Sequence, residues 1–84
     1  MTETEAQLLM YATTWCPDCA RSKRLLDRHG VRYTWINIEE EPEAAETVRH
    51  LNNGMQVVPT IVLPGGRVLT EPSDKELSAA LGLN

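Results

Sequence analysis

Several features that would place a protein in a class at first sight are missing from this chain. It has no phenylalanine, aromatic residues make up 5% of it, and only two cysteines occur in 84 residues. A small scaffold held together by several disulfides is therefore excluded, and aliphatic side chains have to form the core. Because a chain of this length has room for one hydrophobic core, we expect a single domain over residues 1–84.

Long apolar segments and an excess of positive charge are also missing. No hydrophobic run approaches the roughly 20 residues that span a bilayer. The formal net charge is −4, whereas a nucleic-acid binder needs a basic face to neutralise phosphates. The first seven residues, MTETEAQ, contain neither a basic nor an apolar signal region. We therefore expect a cytoplasmic protein that binds neither a membrane nor nucleic acid.

The charges that are present are clustered along the chain. Five of the eight basic residues lie between positions 21 and 32, and five of the twelve acidic residues lie between positions 39 and 46. Two solvated helix faces would explain both clusters. A surface that steers a charged partner towards the protein is the alternative interpretation.

Short apolar runs predict four strands. LLMYA at 8–12 is typical of a buried strand, and VRYTWINI at 31–38 alternates between apolar and polar residues. VVPTIVL at 57–63 and RVLT at 67–70 lie on either side of a Pro-Gly-Gly turn, which indicates a hairpin. Pro59 falls inside the third run, and a proline there must sit at an edge, a bulge or a special turn.

Three amphipathic segments between and after these strands predict helices. The first begins at Pro17 and stops at Gly30, and the second runs from Pro42 to Asn53-Gly54. The third begins after Ser73, which has a glutamate three residues later as in a capping box. The order β-α-β-α-β-β-α predicts an α/β fold in which three helices flank a four-stranded mixed sheet.

Both cysteines lie in the sequence TTWCPDC, at positions 16 and 19. A structural disulfide is disfavoured in the cytosol. A zinc site would need two further ligands, but His29 and His50 are 21 residues apart and do not have the usual ligand spacing. An iron–sulfur cluster shared between two copies, completed by an external thiol, is left open. The remaining interpretation is a reversible redox centre.

The redox interpretation has a physical basis in the predicted first helix. Cys16 falls at the helix N-terminus, where unpaired N–H groups and the helix dipole favour the thiolate that attacks disulfides. Cys19 lies one turn further in, so we expect it to be more buried and to act as the resolving thiol. Asp18 brings a negative charge that should weaken the stabilisation of the Cys16 thiolate. Trp15 is either a core residue or an exposed rim that contacts substrates.

A strand followed by TTWCPDC and a helix, with VVPT and a Gly-Gly hairpin further on, resembles the thioredoxin fold and, within it, the glutaredoxins. The resemblance covers the chain from about Leu8 to Leu81. It implies that the peptide bond before Pro59 is cis and that this proline lies against the cysteines. It also implies that the backbone of Val58 pairs with the bound thiol or peptide.

Three motifs are similar to those of the mycoredoxin branch of the family, which serves mycothiol: Y-x-T-x-W-C-x-x-C, V-P-T and G-G-x-x-L-T-x-P-S. Thr13 stands where ordinary glutaredoxins have a lysine for the glutathione carboxylate, and Asp18 stands where they often have an aromatic residue. Both differences weaken a glutathione assignment. We expect substrate contacts at Thr13, Trp15 and Ser73. The Ser73 side chain and the N–H groups at the start of the last helix could hold a ligand carboxylate.

The resemblance implies a thiol–disulfide oxidoreductase that uses Cys16 and Cys19 and has no resident cofactor or metal. Its substrates would be disulfide or S-thiolated proteins, its co-substrate a low-molecular-weight thiol of the mycothiol or glutathione type, and its regenerating partner a flavin disulfide reductase. We expect a monomer. The alternatives are an iron–sulfur binding module and a redoxin that donates electrons to ribonucleotide reductase and is recycled by thioredoxin reductase. The tryptophan motif of that redoxin is missing from RVLTEPSDKEL.

Overall fold

The computed structural model describes residues 8–83. The expectation about a secretory signal concerns residues 1–7 and lies outside the described residues. No helix within 8–83 is both long and apolar enough to cross a membrane. The strands are β1 Leu9–Ala12, β2 Thr34–Asn37, β3 Thr60–Val62 and β4 Val68–Thr70, and the helices are α1 Pro17–Arg28, α2 Pro42–Leu51 and α3 Asp74–Leu81.

The four strands form one mixed sheet in the order β2-β1-β3-β4. β1 pairs with β2 in parallel, whereas β3 is antiparallel to both β1 and β4. The predicted four-stranded sheet with three helices is therefore confirmed. This register brings the ends of β1, β2 and β4 and the start of β3 to one edge of the sheet, which we call the site edge. It is formed by Ala12, Asn37, Thr60 and Thr70.

The central strand β1 is buried on both faces of the sheet, which explains why LLMYA is apolar throughout. Met10 and Ala12 point into a core that includes Leu26 of α1 and Leu77 of α3. Tyr11 points into a second core with Val48 of α2. Successive side chains of a strand point to opposite faces, so both faces of β1 require apolar residues.

Two strands are shorter than their sequence patterns predict. β2 begins at Thr34 and not at Val31, because the Val31 N–H donates to the Leu26 carbonyl at 2.9 Å and closes the end of α1. β3 begins at Thr60 and not at position 57, because Pro59 has no N–H to donate to a neighbouring strand. The residues left out of β3 form a loop at the site edge.

The predicted capping box of α3 is confirmed. The Ser73 hydroxyl accepts a hydrogen bond from the Glu76 N–H at 3.0 Å, and the Glu76 carboxylate accepts one from the Ser73 N–H at 2.9 Å. These bonds satisfy two donors that would otherwise lack partners at the helix start. The helix ends at Gly82, whose φ of 71° is the left-handed conformation that glycine adopts readily.

We expect Ser73→Ala to lower the free energy of unfolding by about 1 kcal/mol, because the substitution removes the cap of α3. Urea denaturation of the reduced protein measures this change. Ser78→Ala is the matched control, since Ser78 lies inside the same helix and makes no cap. A loss of similar size in both variants would show that the cap is not the cause.

Candidate active site

Cys16 is the N-cap residue of α1, and its sulfur takes the place of the usual capping oxygen. Its backbone is extended, with φ −85° and ψ 115°, and the sulfur accepts a hydrogen bond from the Cys19 N–H at 3.0 Å. Pro17 follows at the first helical position, where no N–H is needed. The donor and the helix dipole both stabilise negative charge on this sulfur. Cys16 is buried, with 7% of the residue exposed.

Cys19 is completely buried, at 0% exposure, and both thiols are free. Burial, followed by the hydrogen bond with Cys16, raises the pKa of the Cys19 thiol to about 12, while a backbone hydrogen bond with Thr13 opposes the shift. Cys19 therefore holds its proton at neutral pH. This burial agrees with the predicted order, in which Cys16 attacks first and Cys19 resolves.

The loop before β3 lies against the attacking sulfur. The Val58–Pro59 peptide bond is cis, as the resemblance implies. The Cys16 thiol donates a weak hydrogen bond to the Val58 carbonyl, with 3.9 Å between sulfur and oxygen. Within residues 8–83 the Val58 N–H has no hydrogen-bond partner. A main-chain donor is thus available on the residue whose carbonyl contacts Cys16, and its use by a substrate remains a prediction.

Trp15 forms part of the rim of the site, so the core alternative is wrong. Its side chain is 66% exposed, and its indole N–H donates to the Glu39 carboxylate at 2.7 Å. The sequence indicates Glu39 only as one member of an acidic cluster. Because β1 and β2 are parallel, the residues that follow them meet at the site edge, and this topology is the signal that pairs Glu39 with Trp15.

Arg21 is a further site residue that the sequence did not single out. Its guanidinium donates to Asp18 at 2.9 Å and to the Pro72 carbonyl at 3.4 Å, and it lies 3.5 Å from the Asp74 carboxylate. It therefore links the first turn of α1 to the start of α3. The positive charge of Arg21 offsets the negative charge of Asp18. The weakening of the Cys16 thiolate by Asp18 remains a prediction.

Of the predicted contact residues, Thr13 is buried and Ser73 is already used in a helix cap. Thr13 is 2% exposed, and its hydroxyl is buried without a hydrogen-bond partner in the described part of the chain. The Ser73 hydroxyl and N–H are both used in the cap of α3. Substrate contacts at these two positions remain predictions. No cluster of three or more His, Cys, Asp or Glu side chains suited to a metal ion occurs among residues 8–83.

We expect the reduced protein to lose stability as the pH rises above about 9. The ordinary pKa of the Cys19 thiol is 9.0, and the folded value is about 12. Between these values the unfolded state binds fewer protons than the folded state, so raising the pH favours unfolding. From pH 9 to pH 10 the loss should be about 1 kcal/mol.

Urea denaturation of the reduced protein at both pH values measures this loss. Two other groups titrate in the same alkaline range. The pKa of Lys23 is raised by its hydrogen bond with Asp27, and the pKa of Tyr33 is raised first by burial and then by its hydrogen bond with Asp27. Cys19→Ala retains these groups and serves as the control, so its loss should be smaller. An equal loss in the two proteins would contradict the assignment to Cys19.

Comparison with known proteins agrees with this geometry. The glutaredoxin family model matches residues 8–68. A Mycobacterium tuberculosis protein provisionally named a glutaredoxin is 40% identical over 76 residues, covering 90% of each chain. Mycoredoxin 1 of Corynebacterium glutamicum is 34% identical over 76 residues, covering 90% of this chain and 94% of that protein.

A solved structure extends the similarity to three dimensions. The glutaredoxin of Archaeoglobus fulgidus superimposes with a TM-score of 0.77 at 30% identity, covering 90% of this chain and 86% of that one. The range that the family model matches, residues 8–68, includes both cysteines and Pro59. The chain therefore belongs to the glutaredoxin family of thiol–disulfide oxidoreductases and has the thioredoxin fold.

Proposed function

We propose that this protein reduces mixed disulfides between proteins and a low-molecular-weight thiol of the mycothiol type, in the reducing cytosol. The observation that carries the proposal is the position of the Cys16 sulfur at the start of α1, 3.9 Å from the carbonyl of Val58, a residue whose N–H has no partner within residues 8–83. A nucleophile and a main-chain donor side by side suit a disulfide attached to an extended chain.

Catalysis begins when the Cys16 thiolate attacks one sulfur of the mixed disulfide. The substrate S–S bond breaks, a new S–S bond forms to Cys16, and the leaving thiolate takes a proton. Cys19 then loses its proton and attacks the Cys16 sulfur, which releases the second thiol and leaves a Cys16–Cys19 disulfide. Two electrons have passed to the substrate. A flavin disulfide reductase, directly or through the low-molecular-weight thiol, returns them.

The structure supplies a reason for the order of these steps. The hydrogen bond and the negative charge of Cys16 are among the causes that raise the pKa of Cys19. Both are removed once the Cys16 sulfur is bonded to a substrate sulfur and carries no charge. The pKa of Cys19 should then fall, although burial still raises it. Cys19 should therefore lose its proton and attack more readily after the mixed disulfide has formed.

The charges around the site support a thiol that carries hydroxyl groups and not carboxylates. Asp18 and Glu39 contact Arg21 and Trp15 respectively, and the positive charge of Arg21 is shared between Asp18 and Asp74. Carboxylate oxygens accept hydrogen bonds from sugar hydroxyls but repel the carboxylates of glutathione. The similarity to a mycoredoxin supports the same choice.

We expect turnover to be about tenfold faster with a mycothiol mixed disulfide than with the glutathione equivalent, because an unfavourable charge contact of about 1.4 kcal/mol has this effect. Coupled assays with the matching reductase for each thiol, and with thioredoxin reductase, measure the preference. Turnover with glutathione alone would overturn the proposal. Turnover only with thioredoxin reductase would indicate the redoxin alternative.

We expect Cys16→Ser to abolish reduction of every disulfide, because it removes the nucleophile. Cys19→Ser should accumulate a mixed disulfide at Cys16, since the resolving thiol is missing. Mass spectrometry of each variant after reaction with a mixed-disulfide peptide detects the adduct. An adduct at Cys19 in the Cys16→Ser variant that forms as fast as the one at Cys16 would reverse the two roles.

A further inference from the structure

Asn52, at the C-terminus of α2, joins three parts of the fold through its side chain. Its amide nitrogen donates to the Val48 carbonyl at 2.8 Å and to the Thr60 hydroxyl at 3.1 Å, and its amide oxygen accepts from the Thr70 hydroxyl at 2.7 Å. The Val48 carbonyl can only accept a hydrogen bond, so this contact fixes which end of the amide is the nitrogen. Asn52 is therefore a donor towards Thr60.

Thr60 passes this bond on to the loop that carries Val58. It is completely buried, at 0% exposure, and its hydroxyl donates to the Val57 carbonyl at 2.7 Å. A hydroxyl has one proton to donate. Because Asn52 donates to the Thr60 oxygen, the single proton of Thr60 is directed to Val57. The bonds run in one direction, from Asn52 through Thr60 to the Val57 carbonyl.

Holding the Val57 carbonyl also fixes the direction of the next N–H. The Val57–Val58 peptide bond is trans, and the carbonyl and N–H of a trans peptide point in opposite directions. With the Val57 carbonyl facing Thr60, the Val58 N–H faces away from the buried strand. It is the same N–H that has no partner within residues 8–83. The following carbonyl, that of Val58, lies 3.9 Å from the Cys16 sulfur.

The other side of this loop is held from β4. The Glu71 N–H donates to the Pro59 carbonyl at 2.9 Å. Glu71 directly follows Thr70, whose hydroxyl donates to Asn52. The loop is thus fixed at Val57 and at Pro59, on both sides of Val58. Fixing both neighbours leaves the polar groups of Val58 in place for a ligand and reduces the ordering that binding requires.

We propose that Asn52 is a positioning residue, which acts through the Thr60 hydroxyl to orient the Val58 N–H towards the main chain of a disulfide substrate bound at Cys16. The inference rests on the proposed function, since it assigns the Val58 N–H to a substrate. Its consequence is selectivity. Substrates that carry an amide beside the disulfide benefit from this N–H, and small disulfides without an amide do not.

The test compares two disulfides in a Cys19→Ser background, in which a single attack by Cys16 is followed. One probe is a short peptide with its cysteine in a mixed disulfide, and the other is bis(2-hydroxyethyl) disulfide, which has no amide. Asn52→Asp removes the donor to Thr60 and offers an acceptor in its place, so the Thr60 proton should leave Val57. Thr60→Val removes the hydroxyl with little change in shape.

We expect both variants to lower the ratio of the peptide rate to the small-disulfide rate about five- to tenfold, the effect of one lost hydrogen bond. The rate with the small disulfide should stay within about twofold of that of the starting protein. Thr60→Ser should restore the ratio. Thr70→Val is the matched control, because it removes a bond to Asn52 and leaves the bonds to Thr60 and Val57 in place.

The proposal is overturned if the ratio does not change in Asn52→Asp and Thr60→Val, or if Thr70→Val lowers it equally. It is also overturned if both probes slow down together, because the network would then act on Cys16 itself. If Asn52→Asp does not fold, as judged by circular dichroism, the Thr60→Val and Thr60→Ser pair decides. The measurement follows a single disulfide exchange and needs no reductase. A negative result in the reductase-coupled assays would therefore reject the proposed function, while the ratio of the two rates could still be measured.

Discussion

The hydrogen bond from the Cys19 N–H to the Cys16 sulfur is the interaction on which the site depends. It makes the sulfur part of the helix cap, so the same contact starts α1 and holds the nucleophile in the field of the helix dipole. It also fixes the two cysteines relative to each other. One thiol sits at the partly open end of the helix and the other lies inside the core, and burial keeps the inner one protonated. Local backbone geometry thereby gives the two thiols the different surroundings on which the proposed order of the chemistry rests.

The sheet register places the other parts of the site around this cap. Two parallel strands bring the segments after β1 and β2 together, which is why Trp15 can bond to Glu39. The antiparallel pairing of β3 with β1 brings the start of β3 to the same edge, and the loop before it meets Cys16. Pro59 has no N–H, so the hydrogen bonds between strands stop at this position and β3 begins at Thr60. The loop therefore lies outside the strands, and the Thr60 hydroxyl and the Glu71 N–H hold it in place.

Charge around the site is arranged in pairs. Asp18 follows the nucleophile by two residues, and Arg21, one turn later, takes up its charge and reaches the start of α3. These pairs are exposed, so their contribution to stability is small. In the proposed function, their importance lies in the choice of substrate thiol. Carboxylates at the rim would accept hydrogen bonds from donors on that thiol and repel carboxylates on it.

Local patterns in the sequence determined the elements and the reactive pair. The spacing of Cys16 and Cys19 before a helix, the capping box at Ser73 and the apolar run of β1 each depend on residues within a few positions of one another. The resemblance to a known family added the cis bond before Pro59, which the structure contains. The ends of β2 and β3 were less well predicted, because Val31 pairs with a helix carbonyl and residues 57–59 pair with no strand.

Tertiary structure alone decided which distant residues meet. Asn52 is a polar residue after a helix and Thr60 a β-branched residue in a strand, and neither pattern indicates that they are bonded to each other. The same holds for Arg21 with Pro72 and for Trp15 with Glu39. Such contacts depend on strand order and on the direction of side chains across a packed core. The physical reason is that hydrogen bonds and ion pairs require distances of about 3 Å, and separation along the chain does not specify a distance in space.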